Sequence, residues 1–170
     1  MTQPSVDPAE VGELWLEVEN GSKPIREGSR QHILGQLGMY DVAADGCDLA
    51  MELPLRPQLA NSRGGLQGGL LATLVDIVAG RAAIASLPPG YSAATSDMNL
   101  HFMSAVTVGP ARAEATVLRQ GKRMCVVRVE VYDGGRDDKW CATATTTFVV
   151  LELRDGQLDL RGPLPRRDAE

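Results

Sequence analysis

The spacing of hydrophobic positions changes near residue 90, from a helical to a strand-like period. Between Gly68 and Leu87, Leu, Ile, Val and Ala fill most positions, and Pro-Pro-Gly follows at 88–90. Four glycines lie within the six residues 64–69, at the start of this run. Glycine and proline punctuate helices, so the pattern predicts a loop followed by one long helix.

Beyond residue 90, apolar and polar residues alternate, as is typical of half-buried strands. Met98, Leu100 and Phe102 alternate with polar neighbours, and Gln-Gly-Lys at 120–122 indicates a hairpin turn. An earlier stretch has a similar pattern, with Pro54 marking an edge or a bulge. The alternation predicts strands over residues 47–55, 97–102, 111–120, 124–132 and 140–151.

This order of elements predicts an α+β fold in which an antiparallel sheet of five or six strands wraps around one central helix. The domain is expected to span residues 47–152. Residues 1–46 are predicted to form an N-terminal helical extension, with amphipathic helices over 9–19 and 29–36. The tail, 153–170, contains two prolines and many charges and is expected to be poorly ordered.

The central helix is apolar on almost its whole circumference, which predicts burial within the protein. Its length of about 28 Å would also suit a membrane span. However, Asp76 and Arg81 would each cost roughly 2.5–3.5 kcal/mol on insertion, and no basic flank follows. The sequence therefore favours a core helix and predicts no membrane association.

Asp76 lies two turns into this apolar helix, where an unpaired charge would be costly. One interpretation is a hydrogen-bonded structural aspartate. The other is a general base or nucleophile acting on a carbonyl, because the helix begins with Gly68 and Gly69, which leave its first N–H groups uncovered. The partial positive charge at a helix N-terminus suits the oxyanion that forms when a carbonyl is attacked.

Composition excludes several classes of function. A formal net charge of -5 argues against nucleic acid as a bulk partner. Cys47, Cys125 and Cys141 are widely spaced and form no CxxC pair, so neither a disulfide framework nor a zinc site is indicated. His32 and His101 are too few for a multi-histidine metal site, and no metal is expected. The first residues lack the features of a signal peptide, which predicts a cytoplasmic protein.

The segment from Asn61 to Asp76 fits the pattern N-x-x-x-x-x-[HQ]-G-G-x-x-x-x-x-x-D. Together with the element order, the strand S-D-M-N-L-H-F-M-S-A and the hairpin V-L-R-Q-G-K, it resembles the hotdog-fold acyl-CoA thioesterases of the phenylacetate-pathway type. The likeness extends over roughly residues 47–151. It implies a hotdog fold and hydrolysis of an acyl-CoA to a free acid and coenzyme A.

The resemblance also implies roles for individual residues. In such enzymes the helix aspartate, here Asp76, is general base or nucleophile, and a glycine N–H, here that of Gly68, polarises the thioester carbonyl. The loop asparagine, Asn61, lies beside the site, and a strand hydroxyl, here that of Thr95, helps to position water. The family often has His where this chain has Gln67, which can donate a hydrogen bond but cannot carry a proton charge.

The tip of the predicted hairpin has three cations around a glycine. It is either a solvated turn or a clamp for the phosphates of coenzyme A. The resemblance places this tip near the coenzyme A moiety and Phe102 near the bound thioester. Coenzyme A would then be part of the substrate, and no separate cofactor is implied. The tip residues are Arg119, Gln120, Gly121, Lys122 and Arg123.

Gly68 and Asp76 are too far apart on one helix, about 12 Å, to act on one carbonyl. Catalysis therefore predicts at least a homodimer, with Gly68 from one subunit and Asp76 with Thr95 from another, and a tetramer is also expected.

Two other functions remain open. One is a non-catalytic acyl-CoA binder or regulator. The other is a hotdog hydratase or dehydratase, which is disfavoured because such an enzyme needs a histidine and an acid in one cavity and His101 lies too far along its strand. The sequence does not indicate the acyl group.

Overall fold

One long helix crosses one face of a six-stranded antiparallel sheet in the computed structural model, which describes residues 33–43 and 46–153. The predicted helix over residues 9–19, the start of the one over 29–36 and nearly all of the tail lie outside these ranges. In chain order the elements are α1 (Ile33–Leu37), β1 (Tyr40–Val42), β2 (Leu49–Leu53), a 3-10 turn (Pro57–Leu59), α2 (Gly68–Ser86), β3 (Tyr91–Phe102), β4 (Ala111–Gln120), β5 (Met124–Asp133) and β6 (Lys139–Glu152).

The strands follow the order β1-β2-β4-β5-β6-β3, and every neighbouring pair is antiparallel. Along β5 and in the first half of β4, every second side chain is buried on the side where α2 packs, as the sequence alternation predicts. The predicted α+β class and the wrapped central helix are therefore confirmed. Within the described part of the chain, β1 and β3 are the edges of the sheet.

Helix α2 begins at Gly68, directly after the glycine-rich loop, and ends before the two prolines, as predicted. Its length and hydropathy would also suit a membrane span, but the sheet packs along it and Leu74, Val75 and Val78 are fully buried. The prediction that it is buried on every side is wrong for the single chain. An open stripe of half-exposed residues runs along it because one curved sheet covers only part of its circumference: Ala72, Thr73, Asp76, Ile77 and Gly80.

Strand β1 has no counterpart among the predicted strands, because three residues are too few to show an alternation. Its Asp41 pairs in register with Met51 of β2 and forms an ion pair with Arg81 of α2. The Nη2 atom of Arg81 donates to the second carboxylate oxygen at 3.0 Å. This pair accounts for a cation on an otherwise apolar helix.

A bulge in β3 determines which of its side chains face the helix. The register against β6 shifts between Thr95 and Asp97, and the hydroxyl of Ser96 donates to the carbonyl of Thr147. Thr95 pairs with Phe148, and both side chains lie on the helix side of the sheet, Thr95 against Asp76 and Phe148 against Gly80. Without the bulge, a strict alternation with Met98 would turn Thr95 to the opposite face.

Candidate active site

The loop before α2 is fixed by hydrogen bonds in its backbone and from one side chain. Asn61 donates from its backbone N–H to the carbonyl of Gly65 at 2.7 Å, and its carboxamide accepts from the N–H of Arg63 at 2.9 Å. The same carboxamide donates to the carbonyl of Leu66 at 3.3 Å. Asn61 therefore shapes the loop that sets the direction of the helix start.

The helix N-terminus is open to a ligand. Gly68 and Gly69 are exposed, and their N–H groups find no acceptor among residues 33–43 and 46–153. A Cβ atom on Gly68 would lie 3.7 Å from the ring of Phe102, whereas one on Gly69 would meet open space. Since the Phe102 side chain is 55% exposed, an aromatic surface stands beside two free backbone donors.

Gln67 immediately precedes these donors, at the N-cap position. Its backbone is extended, and its carbonyl accepts from the N–H groups of Leu70 and Leu71 at 3.0 and 3.1 Å. The exposed side chain forms no capping bond to the helix. It is thus available to a bound molecule, as its predicted role as a hydrogen-bond donor requires.

Asp76 and Thr95 meet on the open stripe of α2. The Thr95 hydroxyl donates to Oδ1 of Asp76 at 2.8 Å. Asp76 is half-exposed, not enclosed as the apolar pattern of the helix predicts, because its side chain points away from the core side of the helix. A carboxylate that accepts one hydroxyl donor, with its other oxygen unoccupied by any described residue, can accept a proton from water or attack a carbonyl.

The two groups of predicted residues lie beside different parts of β3, one near its middle at Thr95 and one at its last residue, Phe102. Phe102, beside Gly68, is seven positions along the strand from Thr95, a separation of roughly 20 Å. One chain therefore holds two candidate half-sites: a donor half-site around Gly68 and an acid half-site around Asp76.

The hairpin between β4 and β5 lies at the same end of the sheet as the acid half-site. Gln120 pairs with Cys125, Cys125 with Phe148, and Phe148 with Thr95, so these residues form one row across four strands. The turn is closed by the Gly121 N–H donating to the Met124 carbonyl at 2.8 Å. The side chains of Arg119, Lys122 and Arg123 are exposed.

Asp133 is a fully buried carboxylate at a position that the sequence pattern assigns to a turn. It accepts backbone N–H groups from Thr107 at 2.8 Å, Val108 at 3.1 Å and Gly109 at 2.6 Å. Burial by itself would raise the pKa of Asp133, but these hydrogen bonds outweigh it and hold the pKa below the usual range of a carboxyl group. The alternation of β5, in which Val129 and Val131 point inward, would have indicated this position.

The lowered pKa of Asp133 makes the stability of the fold dependent on pH in the acid range. The stabilisation is complete above the pKa of an unfolded aspartate, about 3.9, and is lost as pH falls through the lower folded value. Asp133→Asn is expected to cost about 2–3 kcal/mol of unfolding free energy at neutral pH. Urea unfolding at a series of pH values should show a steeper acid loss for the unaltered protein, and parallel curves would contradict this assignment.

Comparison with known proteins agrees with this architecture. The model of the thioesterase superfamily matches residues 64–139. A protein of Saccharolobus solfataricus with a provisional esterase name is 31% identical over 103 residues, which cover 61% of this chain and 67% of that protein.

Solved structures extend the likeness beyond the matched segment. A phenylacetic acid degradation-related protein of Ralstonia eutropha has a TM-score of 0.61 at 28% identity, covering 83% of this chain and 98% of that one. A protein of Bacillus halodurans, solved with CoA, has a TM-score of 0.63 at 28% identity, covering 86% of this chain and 94% of that one. The chain therefore belongs to the thioesterase superfamily and has the hotdog fold.

Proposed function

We propose that this protein hydrolyses an acyl-CoA thioester to a carboxylic acid and coenzyme A. The observation that carries the proposal is the hydrogen bond from Thr95 to Asp76 on the open stripe of α2, at 2.8 Å. The same helix presents uncovered N–H groups at Gly68 and Gly69. An acid and an oxyanion-binding pair are the two elements that acyl transfer needs.

In the general-base route, Asp76 takes a proton from water while the water oxygen bonds to the thioester carbon. The carbonyl oxygen becomes an oxyanion, which the Gly68 N–H stabilises. Collapse of this intermediate breaks the C–S bond, and the thiolate of coenzyme A leaves and takes up a proton. In the nucleophilic route, a carboxylate oxygen of Asp76 bonds to the thioester carbon and the C–S bond breaks, so that the thiolate of coenzyme A leaves and takes up a proton; water then cleaves the resulting acyl anhydride and regenerates Asp76. Thr95 holds the carboxylate in place in both routes.

The two half-sites support a site shared between subunits. β3 is an edge strand of twelve residues, and such an edge is open to pairing with another strand. If two copies of β3 pair antiparallel around a two-fold axis near Met98 and Asn99, Thr95 of one copy lies opposite Phe102 of the other. Asp76 then comes close to the partner's helix start, so we propose a homodimer as the smallest active unit.

The hairpin tip supports coenzyme A as the leaving group, because it offers exposed cations in an otherwise acidic chain. The Bacillus halodurans relative was solved with CoA. We propose that Arg119, Gln120, Gly121, Lys122 and Arg123 bind the phosphates, and that Phe102 packs beside the thioester.

Joint replacement of the hairpin cations by Arg119→Ala and Lys122→Ala is therefore expected to raise KM by at least tenfold, with kcat changed less than threefold. Each lost phosphate contact removes about 1 kcal/mol of binding that is equal in the ground state and the transition state. Arg136→Ala, which removes an exposed cation in a different turn, serves as the matched control. Equal KM values for all three proteins would exclude the clamp.

A panel of acyl-CoAs tests the function itself. Release of free thiol, measured for aryl-acyl, medium-chain and long-chain substrates, should show turnover with at least one class. Binding of acyl-CoA without thiol release would instead support a non-catalytic acyl-CoA-binding protein, to which the Gln67 departure from the family pattern also points. The panel also identifies the acyl group.

A further inference from the structure

Asp133 lies at the base of a chain of contacts that ends at the donor half-site. Its two carboxylate oxygens accept three consecutive backbone N–H groups, those of residues 107–109. The side chain has no exposed surface. A carboxylate bonded in this way fixes both the position and the orientation of the turn, because each N–H must point at the same buried group.

Val106 immediately precedes this turn and connects it to the loop before α2. Its carbonyl accepts the N–H of Leu66 at 2.9 Å, and its side chain is buried. The Cα of Gly65 packs against the same carbonyl so closely that an added Cβ would lie 3.1 Å from the oxygen. Because Leu66 is only two residues before Gly68, its hydrogen bond to the carbonyl of Val106 fixes the position and direction of the helix start relative to the sheet.

The start of the segment that leads from β3 to this turn is held to β6. The N–H groups of Met103 and Ser104 both donate to the carbonyl of Cys141, at 2.9 and 3.0 Å. Phe102, whose ring lies against Gly68, immediately precedes them. The segment from Phe102 to Gly109 therefore contacts the donor half-site at two points and is anchored in the core by Asp133.

We propose that Asp133 is a positioning residue for the Gly68 and Gly69 N–H groups, acting through the carbonyl of Val106. This inference rests on the proposed function only in assigning those N–H groups to the oxyanion. Asp133 itself touches no substrate, because it is enclosed by the sheet and by the 107–109 turn. Oxyanion donors must be held near 2.7–3.1 Å from the developing charge, so a shift of a few tenths of an ångström lowers the rate of the chemical step.

The test compares Asp133→Asn with Glu130→Gln, a matched change of carboxylate to amide on the same strand. Glu130 lies on the opposite face of the sheet, where it accepts from Trp140 and Thr143. Amide resonances of glycine labelled with ¹⁵N report the helix start directly. Asp133→Asn is expected to move the Gly68 and Gly69 resonances and to lower kcat about tenfold with KM within twofold, whereas Glu130→Gln leaves all four quantities unchanged.

A second variant acts on the same path without altering Asp133, so the test survives if Asp133→Asn fails to fold. Gly65→Ala places a Cβ against the Val106 carbonyl and should move the same two resonances. If both variants act through one path, the factor by which kcat falls in the double variant is smaller than the product of the factors in the two single variants. Unmoved Gly68 and Gly69 resonances in either folded variant, or fully multiplicative losses, would overturn the proposal.

These measurements also separate this inference from the proposed function. An unaltered protein that releases no thiol from any acyl-CoA would refute thioester hydrolysis. The resonances would still show whether Asp133 sets the position of the helix start.

Discussion

Asp76→Asn is expected to lower kcat for acyl-CoA hydrolysis by about 10³-fold, because an amide can neither accept the proton of an attacking water nor form an acyl anhydride. The fold should be unaffected. The side chain is half-exposed, and the carboxamide oxygen of the substituted side chain would still accept the Thr95 hydroxyl that Asp76 accepts at 2.8 Å. Thiol release under saturating substrate, together with thermal unfolding, measures both quantities.

Three further variants sharpen this test. Asp137→Asn removes an exposed acid from the turn between β5 and β6, outside β3, and should leave kcat within twofold. Thr95→Val removes the hydroxyl that orients Asp76 and should cost about tenfold, while Thr95→Ser should restore most of the rate. Turnover that persists in Asp76→Asn would remove this residue from the chemistry.

Gly68→Pro is expected to lower kcat by about 10²–10³-fold, because it deletes the N–H that meets the oxyanion. Proline is well tolerated at the first position of a helix, where its missing N–H has no intrahelical partner. The preceding Gln67 already has φ -63 and ψ 132, a conformation that proline accepts in its neighbour. Circular dichroism and thermal unfolding should therefore match those of the unaltered protein.

Gly68→Ala is the matched control for the loss of this donor. It retains the N–H and adds a methyl group that meets the Phe102 ring at an ordinary contact distance of 3.7 Å. Its kcat should stay within about threefold of the unaltered value, with any change mainly in KM. Equal losses in the alanine and proline variants would mean that space, and not the donor, matters at this position.

The sequence predicts the central helix and most of the sheet because both patterns are strong and local. A nineteen-residue apolar run between glycines and prolines has few alternatives, and the helix begins and ends where this punctuation places it. The alternation in β4 and β5 likewise predicts the buried face. The family resemblance names both Asp76 and Thr95 as site residues, and their side chains are hydrogen-bonded to each other; their catalytic roles stay predictions.

The features that the sequence does not predict depend on tertiary contacts. β1 is three residues long and is held by the pairing of its Asp41 with Arg81, forty residues away. The bulge at Ser96 follows from the register against β6, which a single strand does not reveal. Burial of Asp133 depends on a turn that starts 26 residues earlier. The open stripe of α2 depends on how much of the helix the sheet covers. The composition of the helix, which is apolar on almost every side, predicts uniform burial instead.

The measurement that tests the shared site most directly is subunit complementation between Asp76→Asn and Gly68→Pro. Each variant alone should be nearly inactive. After co-expression in equal amounts, half of the dimers carry one subunit of each kind, and one of their two sites then combines an intact Gly68 with an intact Asp76, so about a quarter of the unaltered activity should return. A mixture that remains as inactive as its components would contradict a site built from two subunits.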